Sequence, residues 1–166
     1  DFTLLANTPN QRVPIFSTET VQITGLNLRV QLGDGAGPVI EPVFNGVDFT
    51  GSVFSAFATT VSGGPVSGSE QFQQASIVFN DSGDSVSAQG LIATLLIDTT
   101  GITTGSFDLR LSGTQIGTDT AFILDGGFEQ IPVTSAGTVT VTPTRVVDRF
   151  IFYNDSFSDG NSSEVN

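Results

Sequence analysis

Apolar and polar residues alternate along several short segments of the chain. Residues 26–32 show this most clearly, because four apolar side chains alternate with three polar ones. The same period recurs in residues 107–111 and 139–141, and a longer apolar run covers residues 90–97. A period of two places one face of a strand on a core and the other in water, and the longer run indicates a central strand. Further strands are predicted at residues 13–16, 53–57 and 77–79.

Turn-forming residues separate these segments. Glycine, proline, aspartate and asparagine cluster at residues 33–38, 62–65, 80–84 and 125–127. Glycine adopts positive φ at low cost, and aspartate and asparagine hydrogen-bond their own backbone in turns. No stretch has the apolar stripe of a long helix, although a short helical turn is an option near residues 54–60 or 69–74. About ten short strands at this spacing predict an all-β fold, in which two antiparallel sheets pack as a sandwich or jelly roll.

The length of 166 residues suits one domain that needs no disulfide or metal to hold its core. We expect residues 1–143 to form this β-sandwich and residues 144–166 to form a C-terminal strand with a flexible tail. The tail prediction follows from the Ser, Asp, Gly and Asn composition of its end. Fourteen phenylalanines are expected to fill the core in place of tryptophan and methionine, which are absent.

The chain lacks the side chains on which most enzymes depend. It contains no histidine, cysteine or lysine, and these residues supply most general bases, activated nucleophiles and zinc or copper ligands. Carboxylates remain, since a glycosidase needs only two of them, about 5–9.5 Å apart. None of the five glutamates stands in a recognisable motif. We therefore predict a non-catalytic protein, with a carboxylate hydrolase as the remaining enzymatic alternative.

The charge is strongly negative, with 17 acidic residues, five arginines and a net charge of −12. Binding to nucleic acids or anionic membranes requires clustered cations, so neither is expected as a partner. An acidic protein attracts divalent cations, and the turn at residues 80–84 offers Asp81 and Asp84 as candidate Ca²⁺ ligands. The same turn has a simpler interpretation as a hairpin connection. No cofactor is predicted to be required, and Ca²⁺ is the one candidate ion.

The start of the chain bears on its location. The sequence begins at Asp1 and contains no methionine, which predicts that a secretory signal peptide has been removed. No apolar run approaches the roughly 20 residues that span a bilayer, so membrane insertion is not expected. Many hydroxyl side chains and few charged ones are typical of extracellular β-proteins. We expect an extracellular or cell-surface location.

Several motifs occur in the order found in a known family. They are the strand and acidic turn at residues 76–83, the G-x-hydrophobic-A-T strand at residues 90–95 and the next strand at residues 105–109. Together with residues 23–32, they resemble the cohesin-like domain of bacterial extracellular proteins. The resemblance spans roughly residues 2–142 and implies a nine-stranded jelly-roll sandwich. It also suggests an alternative function, in which Asn27, Arg29 and Gln31 on one sheet face bind a dockerin-like domain or a polysaccharide.

The tail contains a further apolar segment, formed by Arg149, Phe150, Ile151, Phe152 and Tyr153. With the residues up to 156, it resembles the segment that follows such domains in planctomycete surface proteins. A strand this apolar must bury at least one face, and no lysine is available to protect an exposed edge. It either folds back on its own sheets or, like residues 2–6 as an alternative donor, pairs with an edge or groove of the next subunit. Because head-to-tail pairing builds a filament, the leading expectation is an extracellular structural or adhesion module that assembles with itself or with another surface-protein module.

Overall fold

The computed structural model describes residues 1–33, 41–66, 69–111, 120–124, 130–133 and 136–143. Within these residues the chain forms thirteen strands and a single 3-10 turn at Val53–Ala56, so the all-β prediction is confirmed. No helical structure in this part of the chain has the length and hydropathy needed to cross a bilayer. The strands are β1 (Phe2–Leu5), β2 (Gln11–Ser17), β3 (Gln22–Ile23), β4 (Gly25–Leu32), β5 (Val43–Asp48), β6 (Thr59–Val66), β7 (Ser69–Phe79), β8 (Val86–Ser87), β9 (Gly90–Asp98), β10 (Gly105–Arg110), β11 (Thr120–Ile123), β12 (Gln130–Val133) and β13 (Ala136–Thr142).

The largest sheet has β4 near its middle. On one side β4 pairs with β7, which in turn pairs with β6 at the sheet edge. On the other side β4 pairs with β10 through its C-terminal end and with β11 through its N-terminal end. The sheet continues from β10 to β13 and β1, and from β11 to β12. A second sheet has the order β2–β9–β5, so β9 is central as predicted, and β3 pairs with β8 in a third sheet.

One strand pair differs from the purely antiparallel arrangement expected from the sequence. β1 runs parallel to β13, with Phe2 opposite Val139 and Leu5 opposite Thr142. Strands joined by a short hairpin must run antiparallel. β1 and β13 come from distant parts of the chain and are free of that constraint, so the large sheet is mixed.

The alternation in the sequence corresponds to the two faces of β4. Leu26, Leu28, Val30 and Leu32 are completely buried. They belong to one apolar cluster with inward side chains of the second sheet, among them Leu95. Burial of a side chain of this size stabilises the fold by about 1.5–3 kcal/mol. This cluster therefore holds the large sheet against the β2–β9–β5 sheet.

The predicted strand at residues 53–57 is wrong, and a 3-10 turn stands close to the position proposed for a helical turn. Ser52 caps this turn, since its side-chain oxygen accepts a hydrogen bond from the Phe54 N–H at 3.3 Å. The preceding Gly51 has a φ of +74°, a conformation that favours glycine. The turn places Phe54 in the core with 1% of its surface exposed.

Two other local predictions are wrong. Residues 69–74 belong to β7 and not to a helical turn, and residues 62–65 lie inside β6 and not in a loop. Pairing with β4 on one side and β6 on the other makes β7 a strand of 11 residues. At Gly63 the φ is +100°, and a Cβ atom would lie 2.5 Å from the Gln74 carbonyl oxygen. This glycine therefore permits a close approach of β6 to β7 and does not mark a turn.

Candidate functional site

The predicted binding face lies on the outer side of β4, where Asn27, Arg29 and Gln31 occupy alternate positions. Asn27 Oδ1 accepts a hydrogen bond from the Ser76 hydroxyl at 2.8 Å. The Arg29 guanidinium donates to two main-chain carbonyls, and burial lowers its pKa. Gln31 is only 1% exposed. The face thus offers two half-buried side chains that already have partners, which leaves little for a dockerin-like domain or a polysaccharide to contact.

The candidate Ca²⁺ ligands Asp81 and Asp84 lie in the turn that follows β7. Asp81 is exposed, Asp84 is half-buried, and the Asp84 N–H donates to the Asp81 carbonyl at 3.3 Å. Among the residues that the structure describes, no three side chains of His, Cys, Asp or Glu come together as a metal site requires. Ca²⁺ binding stays a prediction, and the hairpin interpretation accounts for the turn.

The predicted assembly residues Arg149, Phe150, Ile151, Phe152 and Tyr153 lie outside the described residues. The alternative donor, residues 2–6, is described. Its first four residues form β1, which pairs with β13 along its length, and the Ala6 N–H donates to the Thr142 carbonyl. The chain's own pairing therefore occupies this strand, and its use as a free donor is not supported.

The space between the large sheet and the β2–β9–β5 sheet opens on two sides. One opening, the β1–β2 groove, measures about 280 Å³. The other, the β5–β6 groove, measures about 630 Å³. The β1–β2 groove is lined mainly by Phe2, Ile15, Phe16, Ile92, Leu109 and Leu111. The β5–β6 groove is lined mainly by Val47, Phe49, Phe54, Phe57, Val61 and Ile77.

A glutamine closes the strand edge beside the β1–β2 groove. The Ala6 N–H donates to the Thr142 carbonyl, so the main-chain groups of Leu5 face away from β13. Gln11 satisfies both of them: its Oε1 accepts from the Leu5 N–H at 2.6 Å, and its Nε2 donates to the Leu5 carbonyl at 2.9 Å. Pro14 in the neighbouring β2 has no N–H to offer. Neither strand is thus well suited to accept a further strand.

Replacing Gln11 with leucine should lower the free energy of unfolding by about 1–3 kcal/mol, since several hydrogen bonds are lost at once. These include the two to Leu5 and one from Nε2 to the Thr8 carbonyl at 3.1 Å. Urea denaturation followed by circular dichroism measures the change. Gln22→Leu, at an exposed position of β3, is the matched control and should change stability by less than about 0.5 kcal/mol. Equal effects of the two substitutions would contradict the role given to Gln11.

The β5–β6 groove has an aromatic floor and an apolar rim. The Phe54 ring lies 6.1 Å from Phe49 and 5.9 Å from Phe79, and the Phe57 ring lies 5.2 Å from Phe79, measured between ring centroids. Phe54 is buried, whereas Phe57 is 43% exposed and Val61 is 52% exposed. The groove thus has two exposed apolar side chains that a partner could cover.

Among the described strands, only β7 pairs with β6, so the main chain of β6 has an outer edge beside this groove. The Ala58 carbonyl, directly before β6, accepts a hydrogen bond from the Asn80 N–H, directly after β7, at 3.0 Å. In an antiparallel pair, successive residues of a strand direct their N–H and C=O groups to opposite sides. The main-chain groups of Thr59 and Val61 therefore face away from β7, toward the free edge of the sheet.

The other described sheet edges carry protective features. β5 has a register shift at Asn45, between Phe44 and Gly46, and such a bulge disrupts further pairing. β12 contains Pro132, and β3 and β8 have only two residues each. In β6 a proline occurs only near the far end, at Pro65, and no residue of the strand is charged. Among the described edges, the first half of β6 is the one most open to strand addition.

Asp48 is the one charged side chain among the described lining of the β5–β6 groove. Its carboxylate accepts hydrogen bonds from the Thr50 N–H at 2.8 Å and from the Arg12 guanidinium at 2.7 Å. The Thr50 N–H, followed by Arg12, lowers the pKa of Asp48 to about 2. The groove rim therefore carries an ionised Asp48 paired with Arg12 at neutral pH, and this carboxylate is too weak a base for proton abstraction.

The low pKa of Asp48 makes the free energy of unfolding depend on pH. A carboxylate whose pKa is lower in the folded chain contributes stability above its unfolded pKa, near 3.8, and loses it as the pH falls toward 2. The free energy of unfolding should decline between about pH 4.5 and pH 2, and less steeply in Asp48→Asn. Denaturation across this range measures both slopes. Asp81→Asn, an exposed turn residue, serves as the control, and an unchanged slope in Asp48→Asn would contradict the assignment.

The open edge was not identified from the sequence. The sequence pattern predicts a strand at residues 53–57 and a turn at residues 62–65, so it places Phe57 in the wrong element and Val61 directly before a loop. The available signal was the lack of charge throughout Thr59–Val66 in a chain of net charge −12.

Comparison with known proteins does not assign this geometry to a family. The sequence matches no protein-family model and no curated protein sequence. The resemblance to cohesin-like domains thus stays an expectation drawn from the residues quoted above. Function is inferred from the groove and the sheet edge themselves.

Proposed function

We propose that this chain is a non-catalytic extracellular structural module that joins other protein chains by β-strand addition at the free edge of β6. Its two main sheets would form the layers of a jelly-roll sandwich, with the β5–β6 groove as the opening between them. The observation that carries the proposal is the unprotected first half of β6 beside an apolar groove. Both elements of strand recognition, a free main-chain edge and apolar pockets, meet there.

An added strand would bind in two ways. Its main chain would exchange hydrogen bonds with the N–H and C=O groups of Thr59 and Val61, which face the free edge. Its alternate side chains would enter the groove and cover Phe57 and Val61, which are 43% and 52% exposed. Apolar burial contributes about 25 cal/mol per Å², so affinity would come mainly from the side chains and orientation from the main chain.

Such a contact is head-to-tail, because a strand of one molecule meets a different surface of the next. Contacts of this kind do not close on themselves unless a ring forms, so they extend into filaments. A structural role fits the chemistry of the chain, which has no histidine, cysteine or lysine. In the groove, hydrogen bonds from Thr50 and Arg12 keep the Asp48 carboxylate ionised. An ionised carboxylate cannot act as a proton donor.

Self-association tests the proposal. In size-exclusion chromatography with light scattering, we expect a mass above the 17.3 kDa of one chain that rises with concentration. Negative-stain microscopy should then show linear particles. A constant mass of one chain up to millimolar concentration would contradict self-assembly.

A further inference from the structure

We propose that the strand added to β6 is the C-terminal segment of a second copy of this chain, residues 145–153. This inference rests on the proposed function, since it names the donor for the edge described above. Three properties support the assignment: the side-chain pattern of the segment, its charge, and the position at which β13 ends.

The side-chain pattern matches the groove. In an extended strand, alternate residues share a face, so Phe150 and Phe152 lie together and Arg149, Ile151 and Tyr153 lie opposite. Over the whole segment this face carries Val146, Asp148 and the two aromatic rings, so the aromatic end would meet the groove and Asp148 would lie toward its rim. Two rings on this face suit the β5–β6 groove, where Phe57 and Val61 are the exposed apolar side chains. The other face can leave the Arg149 guanidinium in water.

The charge of the segment is opposite to that of the acceptor. Residues 145–153 contain Arg145 and Arg149 but only one acidic residue, Asp148, within a chain of net charge −12. The acceptor belongs to a chain of net charge −12, and Asp48 at the groove is already paired with Arg12, so the attraction acts on the chain as a whole and not on Asp48. Opposite charges attract before contact and steer the encounter of two chains. Because each chain also carries a net charge of −12, added salt screens the repulsion between two copies as well as this attraction.

The position of β13 favours a donor from another molecule. The sheet order from β13 to β6 runs through β10, β4 and β7, which amounts to four strand spacings, or about 19 Å around the sheet. β13 ends at Thr142, and the four residues from there to Val146 span at most about 14 Å. Four residues are too few to follow the sheet around to the β6 edge of the same chain. The β6 edge of a second copy has no such limit.

Two variants of the full chain separate donor from acceptor. Val61→Lys blocks the acceptor edge and leaves residues 145–153 intact. The double substitution Phe150→Asp and Phe152→Asp blocks the donor and leaves β6 intact. Phe157→Asp, also in the tail but outside the segment, is the matched control for the donor variant. Circular dichroism verifies that each variant is folded.

Light scattering reads out the result. We expect each blocked variant alone to have the mass of one chain, their equimolar mixture to reach twice 17.3 kDa, and Phe157→Asp to assemble like the unmodified chain. Assembly of the donor-blocked variant, with Val61→Lys monomeric, would overturn the donor assignment while leaving the β6 edge as the acceptor. Assembly of Val61→Lys alone would overturn the acceptor edge and the proposed function. If the mixture keeps the mass of one chain, the pairing of residues 145–153 with β6 is rejected.

Discussion

Replacing Val61 with lysine is expected to abolish self-association, with a loss of affinity of roughly 100-fold or more. Val61 is opposite Ile77 across the β6–β7 pair, and Ile77 is buried, so the Val61 side chain faces the groove. An added strand would enclose a lysine at this site and bury its charge without a partner, which costs several kcal/mol. Lysine on an edge is also a common natural device against strand addition. Analytical ultracentrifugation over a concentration series measures the affinity.

The matched control is Phe16→Lys at the β1–β2 groove. Phe16 is 69% exposed, more than Val61, so the substitution changes the surface at least as strongly. Because Gln11 closes the neighbouring edge at Leu5, we expect Phe16→Lys to associate like the unmodified chain. Retained assembly in Val61→Lys, or equal losses in both variants, would show that β6 has no special role.

Replacing Phe54 with alanine is expected to lower the free energy of unfolding by about 3–5 kcal/mol. Phe54 is 1% exposed and packs against Phe49 and Phe79. Its loss leaves a cavity beneath the groove and removes the aromatic contacts, which add to the cost of lost burial. Chemical denaturation of the two proteins gives the difference directly.

Phe57→Ala distinguishes the floor of the groove from its rim. Phe57 is 43% exposed and touches only the edge of the ring cluster through Phe79. We expect a loss of stability below about 1.5 kcal/mol, because less apolar area is withdrawn from the core. Self-association should nevertheless weaken, since the ring lines the groove. A larger loss of stability in Phe57→Ala than in Phe54→Ala would contradict this division.

Where alternation was strict, it was enough to predict the strands. In β4, Leu26, Leu28, Val30 and Leu32 alternate with polar residues, and all four are buried. Alternation carries this information because the two faces of a strand meet different surroundings. It does not fix pairing between distant strands, so the parallel contact of β1 with β13 could not be anticipated.

Local signals failed where tertiary contacts outweighed them. Gly63, Gly64 and Pro65 suggest a turn, yet pairing with β7 draws them into β6. On the outer face of β4, alternation correctly places Asn27, Arg29 and Gln31 together, but surrounding structure buries Gln31 to 1% exposure. Burial on an outer face depends on residues far away in the chain. The sequence pattern alone could not reveal it.

The open edge of β6 shows the same limit. The exposure of Val61 arises because, among the described strands, β6 ends the large sheet and β5 ends the sheet packed against it. The register of β6 with β7, in which Thr60 is opposite Val78, determines which main-chain groups of β6 face away from β7. Both facts are properties of strand order, and strand order is set by contacts over the whole fold.

Amide hydrogen exchange of β6 in the assembled chain tests strand addition most directly. In the first half of β6, the N–H groups of Thr59 and Val61 face the free edge, while that of Thr60 faces β7. We expect Thr59 and Val61 to exchange more slowly in the assembly than in the monomeric variant with Phe150→Asp and Phe152→Asp, and Thr60 to be protected in both. Unchanged exchange at Thr59 and Val61 on assembly, or new protection at β1 and β2 instead, would contradict the β6 edge as the site of contact.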